Sequence, residues 1–388
     1  MKKAILSILL LGAALCATAQ DSTFARQVIR QLASPEFHGR GHEFRGDSLA
    51  AAYLRNKMRE IGLQPLADDY FQHYSYTTYA VEKEVSLCIN KQKLVPYQDF
   101  RITYLNRIKD LGSRQTYHRL KNSICIWLVG VDKLDTYSPL STVLRAGVAD
   151  PKRGIAIEVL NTKLPKRVRK IDVDLDLNVH TPHQTQNVMG FIPGESDSMI
   201  VFCGHYDHCG SMGPDIYFPG AHDNASGCAA VLDIARRFAS TKPHYTMVFM
   251  LFSGEESGLK GSEYASKHPP VDFAKVKLLC NIDMFCGGDD GIMVVNSQSE
   301  TTRWFLDQLN AANSQMNLTK EVKSRPNAAN SDHYWFSKLC PAVFVYTLGG
   351  RHGDYHTPTD TCESCGLDNY ENLISLLTNW IHQQTETQ

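Results

Sequence analysis

Apolar residues recur at near-helical spacing through Leu49, Ala52, Leu54, Met58 and Ile61, and Gly62 supplies a stop. With a shorter stretch at 22–32, this predicts two opening helices, the second over 46–61. Over 171–180 the period changes to two, with Ile171, Val173, Leu175, Leu177 and Val179 alternating with polar partners, as in a half-buried strand. From residue 187 onward, short apolar runs alternate with amphipathic stretches. Strands are predicted at 188–192, 199–204, 246–252, 276–282, 292–296 and 342–346, and helices at 226–239, 259–267, 300–312 and 367–384. Strands joined through helices imply an α/β fold, here a central mixed, mostly parallel sheet with helices on both faces. In such sheets functional groups collect at the carboxyl ends of the strands. Between 81 and 170 only short mixed strands are predicted, at 84–89, 124–129 and 154–159, which reads as a smaller β-rich insertion. It interrupts a main domain formed by 20–80 and 171–388.

The chain of 388 residues is long enough for this plan, and 43% hydrophobic with 21% charged content is ordinary for a globular protein. A net charge of −1 gives no reason to expect nucleic acid or a membrane surface as partner. Residues 101–180 carry 15 basic and 8 acidic groups, densest at 163–170, which reads as a solvated face or turn rather than a binding patch. Residues 1–19 read as a signal peptide: Lys2 and Lys3, then 12 largely apolar residues from Ala4 to Leu15, then Ala17-Thr18-Ala19. Cleavage would leave a mature chain starting at Gln20, periplasmic or secreted, without an integral membrane segment. Cys16 admits a lipoprotein reading, but Leu15 is a poor residue before a lipidated cysteine. Export would permit disulfides among the ten remaining cysteines. Cys362 and Cys365 are spaced for a local bridge, or are two free thiols, while Cys203, Cys228 and Cys280 lie in apolar runs and read as packing residues.

Five short segments carry candidate chemistry. The apolar run before His205 continues into Tyr206, Asp207 and His208, and a ligating histidine needs an acceptor such as Asp207 for its other ring nitrogen. Asp223 follows His222 just before a helix, where an ordinary N-cap would also sit; as a ligand its two oxygens would bridge two ions. The run ending in Phe252 leads to Glu255 and Glu256 between glycines, and burying adjacent like charges is costly without a metal or protons to compensate. Glu256 is assigned to metal and Glu255 to general base, then acid. Asp283 ends a further apolar strand, and His356 lies in the loop before the last helix. Tyr355 would give its phenolic hydrogen to a developing oxyanion. His222 would support the ligands or face substrate. Two imidazoles and three carboxylates suit two zinc ions sharing one water, a hydrolytic centre.

The stretches Gly204-His205-Tyr206-Asp207-His208, Asp223-Asn224-Ala225-Ser226-Gly227, Gly254-Glu255-Glu256-Ser257-Gly258, Asn281-Ile282-Asp283-Met284 and His356-Thr357-Pro358-Thr359-Asp360 together resemble the co-catalytic two-zinc aminopeptidases. Gln186-Asn187-Val188, Ser331-Asp332-His333 and Phe37-His38-Gly39-Arg40-Gly41 are also similar, while the insertion resembles a protease-associated lid only weakly. The resemblance implies the zinc exopeptidase fold, with one zinc on His205 and Asp283, another on Glu256 and His356, and Asp223 bridging. It also implies a peptide substrate attacked at its amino terminus. His222 departs from the pattern, standing where an acidic or small residue is commoner. Three alternatives stay open: a single-zinc glutaminyl cyclase, a dipeptidase or carboxypeptidase of the same fold, and a binding ectodomain without catalysis.

Overall fold

The computed structural model describes residues 22–80, 83, 85–104, 115–119, 125–134, 155–174 and 178–383. The leader at 1–19, including Cys16, lies outside them, as does part of the insertion. Sixteen strands run in chain order among the described residues. They are β1 Gln64–Pro65, β2 Phe71–Ala80, β3 Ser86–Ile89, β4 Gln92–Leu94, β5 Phe100–Tyr104, β6 Gln115–Arg119, β7 Cys125–Val131 and β8 Ile155–Leu160. Then follow β9 Ile171–Asp174, β10 Asn178–Ile192, β11 Ser196–His205, β12 Tyr245–Phe252, β13 Val276–Ile282, β14 Gly291–Val295, β15 Val322–Arg325 and β16 Ala342–Leu348. The α-helices are α1 Thr23–Leu32, α2 Gly46–Ile61, α3 Ser226–Ala239, α4 Lys260–Lys267, α5 Arg303–Met316, α6 His333–Phe336 and α7 Tyr370–Gln383.

Nine strands form the main sheet in the order β1-β10-β12-β11-β13-β16-β14-β15, with β2 also paired to β10. Its centre, β12-β11-β13-β16, is parallel. The flanking pairs of β10 with β1, β2 and β12, and of β14 with β16, are antiparallel, while the edge pair of β14 with β15 is parallel again, so the sheet is mixed around a parallel centre. Central strands are apolar throughout because both faces are covered. Along β11, Ile200 and Phe202 join a core with α1, α2, α3, α5 and α7, while Val201 and Cys203 point the other way, toward Ala265 and Phe336. Met247, Phe249 and Leu251 divide from Val248, Met250 and Phe252 on β12 in the same manner. The period of two thus reads directly as two cores.

The alternating run at 171–180 is not one strand. Residues Ile171–Asp174 pair with β3 in a small three-stranded sheet, and a new strand from Asn178 pairs with β2 in the main one. A second small sheet orders β5-β8-β7-β6. Leu87, Ile89, Phe100, Ile102 and Ile157 of these sheets share an apolar cluster with Cys209, Met212 and Phe218, which follow β11. The insertion therefore packs on the loop that leaves the central strand. The basic run at 163–170 is largely exposed, with Lys163 ion-paired to Asp99 at 3.0 Å and Lys170 to Asp172 at 2.8 Å, as a solvated turn would have it. No helix among the described residues is long and apolar enough to cross a membrane.

Candidate metal centre

The site is built where the parallel strands end. His205 is the last residue of β11, Glu255 and Glu256 follow β12, and Asp283 follows β13. Asp223 precedes α3, and His356 lies between β16 and α7. All five expected ligands are buried or nearly so, and they converge. His205 Nδ1 donates to the Asp207 carbonyl oxygen at 3.1 Å, which leaves Nε2 with its lone pair. That nitrogen faces Asp283 Oδ1 at 3.3 Å and Asp223 Oδ1 at 3.4 Å. The other oxygen of Asp223 lies 2.9 Å from His356 Nε2, which is also 2.9 Å from Glu256 Oε1. Asp223 thus turns one oxygen to each of two donor groups.

A lone pair facing two carboxylate oxygens is repulsive unless a proton or a cation lies between them. The same negative field shows in the imidazoles. Burial would lower the pKa of His205 and of His356, yet their neighbours, Asp283 and Glu255 for one and Cys209, Glu256 and Asp223 for the other, raise both well above the ordinary range. His208 behaves alike: against burial, Cys209, Glu256 and Asp223 push it up to about 10. The donor set therefore fits divalent metal, with carboxylate oxygens and imidazole nitrogens at hand.

Local supports explain how the chain holds so much charge. The Asp207 carboxylate lies 3.7 Å from the His205 ring and instead accepts the N–H groups of Glu255 at 3.1 Å and Glu256 at 3.2 Å. Its carbonyl, not its carboxylate, makes the nearer bond to His205. Asp223 is not a helix cap: α3 is preceded by Ala225, and Asn224 accepts from the Gly227 N–H at 2.8 Å. Gly227 is required here, since a Cβ would come within 2.3 Å of the Ile282 carbonyl oxygen. Asp283 Oδ2 accepts from Ser331 Oγ at 2.9 Å, which accepts in turn from Asn281 at 2.7 Å. His222 is buried, and its Nδ1 accepts from the Cys286 N–H at 3.3 Å.

Beside the centre a cavity of about 310 Å³ is lined by His205, Asp223, Glu255, Asp283 and Tyr355, with Met284, Phe344, Tyr346, Arg325 and Asn330 on its outer wall. Glu255 is half-buried, and burial together with the Glu256 and Asp332 carboxylates raises its pKa well above the usual range, against the pull of His205. Tyr355 stacks on His356 with ring centroids 3.8 Å apart, and burial keeps its hydroxyl protonated.

Sequence reasoning assigns no role to three residues. Asp360 accepts the N–H groups of His222 at 2.8 Å and Asp223 at 3.1 Å, fixing the backbone that carries Asp223. His208 and Cys209 lie with Glu256 and His356 so that one donor atom from each falls within 4.8 Å of the others. The signal for His208 was present, a second imidazole one turn beyond a strand-end histidine.

Buried carboxylates and imidazoles gathered at the strand ends of an α/β sheet define a candidate metal-dependent hydrolase. The chain belongs to peptidase family M28, whose profile matches residues 187–381. A probable leucine aminopeptidase of Arthroderma otae is 30% identical over 190 residues, 46% of this chain and 51% of that protein. The chain spans about half the length of the curated relatives it matches. In fold it is similar to a zinc aminopeptidase from Bacillus subtilis, with a TM-score of 0.64, 16% identity, and 95% and 96% of the two chains covered. It is also similar to a glutaminyl cyclase from Bacteroides thetaiotaomicron, with a TM-score of 0.54, 14% identity, and 93% and 97% covered. At these identities the likeness is one of fold.

Proposed function

We propose that the protein is an exported zinc aminopeptidase that releases residues from the amino termini of peptides. The observation that carries the reading is Asp223, whose two oxygens face two separate donor groups across a buried centre. His205 and Asp283 would hold one zinc, Glu256 and His356 the other, and Asp223 both. Zinc bound there would supply Lewis acidity, polarising the scissile carbonyl and easing deprotonation of water.

The chain's own residues account for the rest. Glu255, on the cavity wall with His205 and Asp283, takes the proton of the attacking water and returns it to the leaving nitrogen as the C–N bond breaks. Tyr355 donates its hydroxyl hydrogen to the carbonyl oxygen as that oxygen gains charge. A cavity of about 310 Å³ is at the small end for a ligand pocket and suits a terminal residue or two. Its aromatic wall, Phe344 and Tyr346, favours an apolar side chain.

A second reading has one observation behind it. Arg325 shares that wall, beside the Tyr346 hydroxyl at 3.3 Å, where it can meet a substrate carboxylate. Dipeptides or carboxyl-terminal residues would then be the substrates. The glutaminyl cyclase alternative needs only one zinc and leaves half the donors idle. Export is part of the proposal, and the Cys286–Cys365 disulfide supports an oxidising compartment. A lid role for the insertion is likewise proposed, supported by its packing on residues 209–218.

Profiling hydrolysis over peptides free or blocked at either end tests these readings together. Release of free amino acids that stops on amino-terminal blocking is the expected result. Arrest by carboxyl blocking would shift the reading to Arg325, and ring closure of terminal glutamine without hydrolysis would end it. Glu255→Gln should fold and keep its zinc while losing activity by roughly 10²- to 10⁴-fold, the usual contribution of a general base.

A further inference from the structure

The two halves of the centre are unequal. His205, Asp223 and Asp283 form one group, and all three line the cavity together with Glu255 and Tyr355. Glu256 and His356 belong to the other group, with His208 and Cys209, and none of these four is on that wall. His208 is 3% exposed. Its Nδ1 approaches Glu256 Oε1 to 3.0 Å and Asp223 Oδ2 to 3.6 Å, yet neither ring nitrogen makes a hydrogen bond. Cys209 Sγ lies 3.8 Å from the same Glu256 oxygen.

Donors that crowd one another without hydrogen-bond alignment are what a shared cation requires. Ligand atoms roughly 2.0–2.3 Å from one zinc stand about 3–4 Å apart; here His208, His356 and Cys209 lie 3.0, 2.9 and 3.8 Å from the Glu256 oxygen, and all four donor atoms fall within 4.8 Å of one another. A purely structural account of Cys209 exists, since its side chain also joins the cluster with Met212 and Phe218. That account leaves both buried ring nitrogens of His208 without an aligned hydrogen bond, although Nδ1 sits close to the Glu256 carboxylate. The turn that presents both residues is fixed by main-chain bonds from His208 N to Arg40 O at 3.4 Å and from Gly210 N to Gly39 O at 3.0 Å.

The geometry points to an asymmetric pair of metal sites: a closed one in which the His208 imidazole and the Cys209 thiolate join Glu256, His356 and Asp223, and an open one at His205, Asp223 and Asp283 that faces the substrate cavity. The inference rests on the two-zinc reading above. Zinc sites filled by protein donors hold their metal structurally, whereas catalytic sites keep a position open. The thiolate makes the closed site soft, selecting zinc or cadmium over magnesium or manganese. The thiol loses its proton as the metal–sulfur bond forms.

Cobalt(II) reports both points without turnover. The full-length protein is stripped, reloaded with cobalt, and measured by elemental analysis and absorption. Two cobalt ions per chain and an intense near-ultraviolet thiolate-to-cobalt charge-transfer band are expected. The band should vanish in Cys209→Ser and persist in Cys203→Ser and Cys228→Ser. Two bound ions without the band, or a band that survives in Cys209→Ser, overturn the thiolate assignment and leave the two-metal reading standing. One bound ion that carries the band does the reverse. Should Cys209→Ser not fold, alkylation of Cys209 in the natural chain decides, with protection by zinc supporting the assignment and equal labelling with and without zinc overturning it.

Discussion

A guanidinium has five N–H donors, and Arg40 gives each to a backbone carbonyl. Nε donates to Tyr206 at 2.6 Å, Nη1 to Leu32 at 2.8 Å and Pro219 at 2.6 Å, and Nη2 to Gly220 at 2.8 Å and Asp223 at 3.2 Å. This fully buried side chain ties the loop after His205 to the backbone of Asp223. Arg40→Met would strand several buried carbonyls, each worth roughly 1–3 kcal/mol, so we expect a lower urea midpoint and weaker zinc retention on dialysis. Asp47 offers a test by pH. Its carboxylate accepts from His183 at 2.7 Å and Thr185 at 3.0 Å, and although burial would raise its pKa, the bond and charge of His183 hold it below the ordinary value. Its stabilising effect is complete above the unfolded carboxyl pKa, about 3.9, and is lost as pH falls through the depressed folded value. Asp47→Asn should lower Tm at neutral pH and flatten its decline in acid; an unchanged acid slope would refute the assignment. His205, Glu256 and Asp283 were legible because each follows an apolar run, an arrangement that packing alone does not favour, whereas Asp223 and His356 were legible only through the stretches that flank them. Arg40, Asp360 and Cys209 were not, since their roles depend on carbonyls, amides and donors far off in sequence.

Elements show the same division. The central strands β11, β12, β13 and β16 and the helices α2 and α3 were visible, because burial on both faces or on one stripe leaves a plain period. β2 escaped notice: Tyr74, Tyr76 and Tyr79 are spread among Gln, His, Ser and Thr, and only pairing with β10 makes them a strand. α5 starts at Arg303 rather than at residue 300, because the Arg303 N–H bonds the Ser299 carbonyl and the Ser299 and Thr302 hydroxyls pair at 2.6 Å, forming a turn first. In the insertion, Arg101 of β5 and Glu158 of β8 stand in register and form a buried ion pair at 2.5 Å. Removing one partner leaves a buried charge, so Glu158→Ala should cost about 3–5 kcal/mol. Arg101→Met with Glu158→Leu should cost far less. Urea unfolding of both variants checks the contrast.

At the scale of the whole molecule, a disulfide among the described residues joins two segments that flank the centre. Cys286, shortly after Asp283, is bridged to Cys365, shortly after His356, closing 79 residues of chain. The sequence spacing had pointed instead to Cys362 with Cys365, but Cys362 is a buried free thiol. Connectivity of this kind is fixed by the docking of distant segments and is not written in local spacing. Replacing both bridged cysteines with serine should lower stability by roughly 2–4 kcal/mol, and reductant should bring the natural chain to the same urea midpoint. The bridge joins a segment that serves one donor group to a segment that serves the other. If the proposed peptidase reading holds, a protein made where thiols stay reduced would hold these two segments loosely and stay dormant. Maturation would then wait for passage into an oxidising space, a delay that comparison of peptidase activity before and after air oxidation of freshly reduced protein would reveal.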